Sequence, residues 1–207
     1  MDLVMKSTVL GGTFDPVHLG HLMLADAVRE RLAPAEIIFM PAAQPWMKEG
    51  VSISPVGDRL EMVRLATCGR EGLSVSTLEI ERGGPTYTVD TLRELRSSLP
   101  EDRELYFILG WDNLLELPRW REPGEIIKLC TLVAVPRIGY RVPGAAMLEK
   151  LLPGLASRVI LLAKPEIDIS ASVIRERVRR GESIRHLVPE AVAEYIRDRH
   201  LYSKRPP

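Results

Sequence analysis

Gly11-Gly12-Thr13-Phe14-Asp15-Pro16-Val17-His18-Leu19-Gly20-His21 follows the strand-like run Thr8–Leu10 and opens a helix whose apolar face carries Leu24, Val28 and Leu32. A strand, a glycine turn and a helix in that order form the first unit of a parallel sheet, and the chain repeats the alternation. Further strands are predicted at Ile37–Met40, Leu73–Ile80, Leu105–Leu109, Leu132–Val135 and Val159–Leu162. Helical stripes separate them: Leu60, Val63 and Thr67 after Pro55, then Val89, Leu92, Leu95 and Leu99. Ile174 and Val178, then Val192, Tyr195 and Ile196, mark two final helices. Strands joined through helices pair in parallel by right-handed crossovers, which cover both sheet faces. The expected fold is α/β: a Rossmann-like, parallel-sheet, three-layer sandwich with C-terminal helices, one domain over residues 1–207 with a frayed tail at Ser203–Pro207. The segments Pro41–Ser54 and Pro136–Gly144 read as long loops.

Composition narrows the function classes. Twenty-eight Lys plus Arg balance twenty-eight Asp plus Glu over 207 residues. That neutrality gives no electrostatic footprint for a nucleic-acid polymer. No apolar run is long enough for a bilayer, and no signal-peptide pattern follows Met1. Cys68 and Cys130 are far apart and lack metal or redox spacing, so two buried, reduced thiols in a cytoplasmic protein are expected.

In an open parallel sheet, ligands bind beyond the carboxyl ends of the strands. Gly11 and Gly12 stand at such an end and allow close approach of backbone to a nucleotide. His18 and His21, three apart at a helix start, can turn both rings to one side, beside free N–H groups suited to phosphate. Either feature alone is commonplace, since glycine pairs make turns and single histidines sit on surfaces. Together they are not explained by a turn. A metal site lacks a third ligand, and the P-loop and dinucleotide-binding glycine patterns are absent here.

This stretch resembles the His-x-Gly-His nucleotidyltransferase superfamily, and within it the bacterial nicotinate-nucleotide adenylyltransferases. That resemblance implies a single nucleotidyltransferase domain that joins ATP to nicotinate mononucleotide and releases pyrophosphate. It implies ATP contacts for Gly11, Gly12, Thr13, Phe14, His18, Gly20 and His21, with the two imidazoles on the phosphates.

Far along the chain, Ile169-Ser170-Ala171-Ser172-Val173-Ile174-Arg175 reads as a helix start capped by Ser170 or Ser172. It is similar to the family's second signature, which implies that Ile169, Ser170, Ser172 and Arg175 hold the outer phosphates. Arg175 supplies a permanent charge and a planar fork for phosphate oxygens. Arg177, Arg179 and Arg180 read as a solvated basic face.

Between the two signatures, Gly83-Gly84-Pro85-Thr86-Tyr87-Thr88-Val89-Asp90-Thr91 precedes a helix, with threonine caps and exposed N–H groups suited to a carboxylate. The resemblance implies that Thr86, Tyr87 and Thr88 read the pyridine carboxylate. It also implies that Trp120, by itself a packing residue, stacks on the ring. Gly110 and Asp112 correspond to the ribose-engaging segment, and Lys48 and Arg137 to phosphate contacts. Three positions depart from the family pattern: Met47 where histidine is common, Trp111 where a smaller residue stands, and Ile138 in place of proline. Magnesium is expected to travel with ATP rather than on a protein site, and nothing in the sequence opposes a homo-oligomer.

An anionic acceptor phosphate needs no general base, so in-line attack on the α-phosphorus rests on positioning and charge neutralisation. Nicotinamide mononucleotide and phosphopantetheine are the alternative acceptors. Class I aminoacyl-tRNA synthetases also carry His-x-Gly-His, but this chain lacks their Lys-Met-Ser-Lys-Ser loop.

Overall fold

The computed structural model describes residues 6–34, 36–45, 52–136, 138–139 and 142–203. Six parallel strands form the main sheet: β1 (Lys6–Gly12), β2 (Glu36–Pro41), β4 (Leu73–Val75), β6 (Glu104–Gly110), β7 (Thr131–Val135) and β8 (Val159–Leu161), in the order β4-β2-β1-β6-β7-β8. Successive strands run outward from β1 on one side and from β6 on the other. The order therefore reverses between β1 and β6, at their carboxyl ends, where such sheets hold ligands.

Alternation along each strand divides the core. Leu10, opposite Phe39 and Ile108, faces one layer, while Val9, Phe107 and Leu109 face the other. The first layer is covered by α1 (Leu19–Leu32), α2 (Val56–Thr67), α8 (Ala171–Arg179) and α9 (Glu190–Asp198) through Leu22, Val28, Met62, Val63, Ile174, Val192 and Ile196. The second is covered by α4 (Thr88–Ser98), α5 (Trp111–Glu116), α6 (Pro123–Leu129) and α7 (Ala145–Leu151) through Val89, Leu92, Leu114, Ile126 and Leu148. Each fully buried Val or Leu contributes about 1.5–3 kcal/mol, so these stripes hold the helices in place. Among the described residues no helix is long and apolar enough to cross a membrane.

Four local expectations are corrected. Leu73–Ile80 is not one strand: β4 ends at Val75, and α3 (Leu78–Arg82) begins after a turn. The last rung is Ser76 N–H to the Phe39 carbonyl, and the Ser76 hydroxyl then accepts the Leu78 N–H, which bends the chain into the helix. In α2, Val63 and Thr67 of the expected stripe are buried but Leu60 is only half-buried, and the buried face also takes in Asp58, Arg59, Met62 and Ala66. Cys68 is exposed, since it caps the end of α2 beyond the last packed turn, whereas Cys130 is buried and burial pushes its thiol up to about 12. The Pro41–Ser54 segment contains β3 (Gln44–Pro45), paired in parallel with β5 (Pro85–Thr86); residues 46–51 lie outside the described set. In the tail, the Ser203 hydroxyl donates to the His200 carbonyl at 2.6 Å.

Candidate active site

A cavity of about 510 Å³ opens at the β1–β6 reversal. Gly11, Gly12, Thr13 and Phe14 line it from the end of β1, with His18 and His21 from the start of α1. Gly110 enters from the end of β6 and Asp112 from the first turn of α5, Thr86 and Thr88 from the β5–α4 junction, and Trp120 and Ala171 line it as well.

The two imidazoles stack with centroids 3.7 Å apart and 23° between planes. His18 is the N-cap of α1 and is buried, and its backbone N–H donates to Nδ1 of His21 at 3.1 Å. An accepting Nδ1 puts the proton of neutral His21 on Nε2, which makes that nitrogen a donor. Phe14, at φ 49°, sets its ring edge-on to His21 with centroids 5.0 Å apart. Gly20 does not line the cavity but packs against the His18 ring and Ile167. A Cβ there would fall 2.6 Å from Cγ2 of Ile167 and 3.0 Å from Nδ1 of His18. The glycine between the histidines is thus dictated by close packing.

The second signature meets the first. Ser170 is the N-cap of α8 and accepts the Val173 N–H at 3.3 Å, while its Oγ lies 3.1 Å from that of Ser172. Arg175, one turn along, donates from Nη1 to the Asp15 carbonyl at 2.7 Å, across 160 residues of sequence. Of this signature only Ala171 lines the cavity; Ser170, Ser172 and Arg175 stand near that wall residue in sequence without lining it, and Ile169 packs against the first core layer. Arg179 and Arg180 pair with Glu176, and Arg177 with Glu182, on the solvated side of α8.

At the other end the threonine caps are corrected. The cap position of α4 is Tyr87, whose side chain does not cap the helix, and Thr88 is the first helical residue. The Thr86 hydroxyl instead accepts the Gln44 N–H at 3.2 Å and ties β5 to β3. Tyr87 packs on the second core layer beneath the Arg121 guanidinium, 4.7 Å from its ring centroid. Trp120 lines the cavity and meets Phe107 edge-on at 6.4 Å. Trp111 is buried, its indole N–H donating to the Ala134 carbonyl, so it packs under the site without narrowing it. Asp112 folds back over Gly110: a Cβ there would lie 2.3 Å from its Oδ1 and would displace the end of that carboxylate. Ile138 is exposed. Lys48, Met47 and Arg137 lie outside the described residues.

Several site residues escaped the sequence reading. Arg59 is 2% exposed and donates to the carbonyls of Thr13, Ala42, Ala43 and Ser54, which binds three wall segments together. Burial lowers its pKa and nearby Asp15 opposes that shift. Glu79 lines the cavity, buried, and accepts the Thr91 hydroxyl at 2.7 Å. Burial pushes its carboxyl up to about 7 against the opposing pull of Thr91 and Arg82. A buried arginine in a helical stripe and an acid followed by Thr91 twelve residues later leave no local periodic signal. Among the described residues no group of three or more His, Cys, Asp or Glu side chains is placed to hold a metal ion.

Comparison with known proteins agrees with this architecture. The cytidylyltransferase-like family model matches residues 9–177. A Dehalococcoides mccartyi protein named as a probable nicotinate-nucleotide adenylyltransferase is 55% identical over 200 residues, covering 97% of this chain and 98% of its own. A Frankia alni protein of the same name is 45% identical over 196 residues, covering 95% of this chain and all of its own. The fold is similar to Plasmodium falciparum nicotinic acid mononucleotide adenylyltransferase complexed with NaAD, at a TM-score of 0.78, with 20% identity over 96% of this chain and 97% of that one. With two motifs converging on one cavity and such identity along almost its whole length, the chain belongs to the cytidylyltransferase-like family and, within it, to the nicotinate-nucleotide adenylyltransferases.

Proposed function

We propose that this chain transfers the adenylyl group of ATP to nicotinate mononucleotide, forming nicotinate adenine dinucleotide and pyrophosphate. The observation that carries the reading is the bond from Arg175 to the Asp15 carbonyl, which draws the α8 start onto the loop before His18 and His21. Two anion-binding helix starts then flank one cavity, as a triphosphate requires.

An oxygen of the mononucleotide phosphate attacks the α-phosphorus in line, and the bond from that phosphorus to the bridging oxygen of pyrophosphate breaks. No bond to the protein forms, and the anionic acceptor needs no base. His21, donating from Nε2, and His18 beside it neutralise charge on the reacting phosphates, and Arg175 with Ser170 and Ser172 takes the departing pyrophosphate. Gly11, Gly12, Thr13 and Phe14 form the cradle, supported by Gly20 and Ile169, and Gly110 and Asp112 face the ribose region. A divalent cation enters on the triphosphate as part of the substrate. At the acceptor end the N-terminus of α4, with Thr86, Tyr87 and Thr88, receives the nicotinate carboxylate, and Trp120 covers the ring. Lys48 and Arg137, outside the described residues, are assigned to the mononucleotide phosphate on charge alone. Reduced thiols fit a cytoplasmic enzyme.

The test is dinucleotide formation from ATP with nicotinate against nicotinamide mononucleotide. An anion at a partly buried helix N-terminus gains up to about 2 kcal/mol, so kcat/KM is expected to favour nicotinate by about thirtyfold. Equal rates, or a preference for the amide, would remove the acceptor assignment while leaving adenylyl transfer intact.

A further inference from the structure

Beyond the cavity lining, one contact joins the nucleotide loop to the far end of the chain. The Tyr202 hydroxyl donates to Oδ1 of Asp15 at 2.7 Å. Asp15 is buried, its Oδ2 accepts the Ser54 N–H at 3.4 Å, and its main-chain carbonyl accepts Arg175. One residue of the loop therefore connects the C-terminal turn, the approach to α2 and the arginine of the second signature.

We propose that Tyr202 is a positioning residue for ATP: its hydroxyl fixes the Asp15 carboxylate, and through it the loop carbonyl on which Arg175 rests. This rests on the reading of the cavity as an ATP site. A buried carboxylate must find donors, and Arg59 and Arg175 are the nearby cations. Without the hydroxyl, Asp15 turns toward those guanidinium groups, which withdraws Arg175 from the triphosphate and Arg59 from the Thr13 carbonyl. The backbone agrees with a held geometry. Phe14 and Tyr202 take φ of 49° and 62°, left-handed conformations that bulky residues keep only where their surroundings impose them. Burial and Asp15 raise the Tyr202 pKa far above the ordinary phenol range, so the hydroxyl stays a donor throughout the working pH range.

Tyr202→Phe removes only the oxygen and keeps the ring packed on the first core layer. Binding of a non-hydrolysable ATP analogue is measured by calorimetry, alongside both KM values and kcat. Because a hydrogen bond to a charged group is lost, the analogue is expected to bind about tenfold more weakly, with a matching rise in KM for ATP. The KM for the mononucleotide should stay within about twofold. Unchanged analogue binding, or equal movement of both KM values, would overturn the proposal. Asp15→Asn probes the same bond from its other side, and in the double variant the losses must not add. Additive losses would also refute it. A parent chain that fails to bind the analogue would instead refute the ATP reading of the cavity.

Discussion

Glu79 shows how one buried group acts on stability as well as on the site. Its carboxyl titrates near 7 in the folded chain, because burial penalises the anion, against about 4.3 when unfolded. The folded state therefore binds more protons between those values. Stability is full below the unfolded pKa and is lost as pH rises through the folded one, by about 4 kcal/mol across the window. Glu79→Gln should flatten that portion of the curve in denaturant melts at pH 4.5, 6 and 7.5. An unchanged slope would show that Glu79 does not carry the titration. The sequence contained no hint of this, since an acid in an apparent strand reads as solvent-facing. Arg59 was hidden for the same reason: a residue's burial depends on what the rest of the chain packs over it.

The first helix was legible as an element. Leu24, Val28 and Leu32 predict its buried face, and all three are buried. The histidine pair predicts a shared side, and the rings stack. The meaning of Gly20 was not legible, because Ile167, which bars a Cβ, comes from a segment almost 150 positions away. Gly20→Ala must push Ile167 or His18 aside, and overpacking of this kind costs about 1–3 kcal/mol. Thermal melts should show that loss, with a larger fall in kcat/KM than the stability change accounts for, since His18 is one of the displaced groups. Full activity at an unchanged melting point would mean that the packing relaxes freely. By contrast the pattern of Leu73–Ile80 predicts one strand where the chain forms a strand and a helix. Its apolar residues suit either period, and the break at Ser76 comes from a rung to Phe39 that local sequence does not encode.

Across the whole molecule, the cavity is assembled from the β1–α1 loop, the ends of β5 and β6 and the start of α8, with the C-terminal turn behind it. A ligand that spans these parts ties the two core layers together. Saturation with an ATP analogue at a hundred times its Kd should add about 2.7 kcal/mol of stability. For a chain of this size that is a rise in Tm of about 5–10 °C, read by calorimetry with and without nucleotide. No rise would argue against nucleotide binding in this cavity. The sequence by itself determined the α/β alternation, the glycine turn and histidine pair at the start of the first helix, and the serine-capped start of the helix that carries Arg175. These depend on period, turn chemistry and local backbone geometry, which act within a few residues. Only the tertiary structure decided that Arg175 reaches Asp15, that Tyr202 and Arg59 brace the loop, that Glu79 is buried and that Trp111 packs below the site. Those outcomes depend on the desolvation and close packing of groups up to 187 positions apart, and that information exists only once the chain has folded.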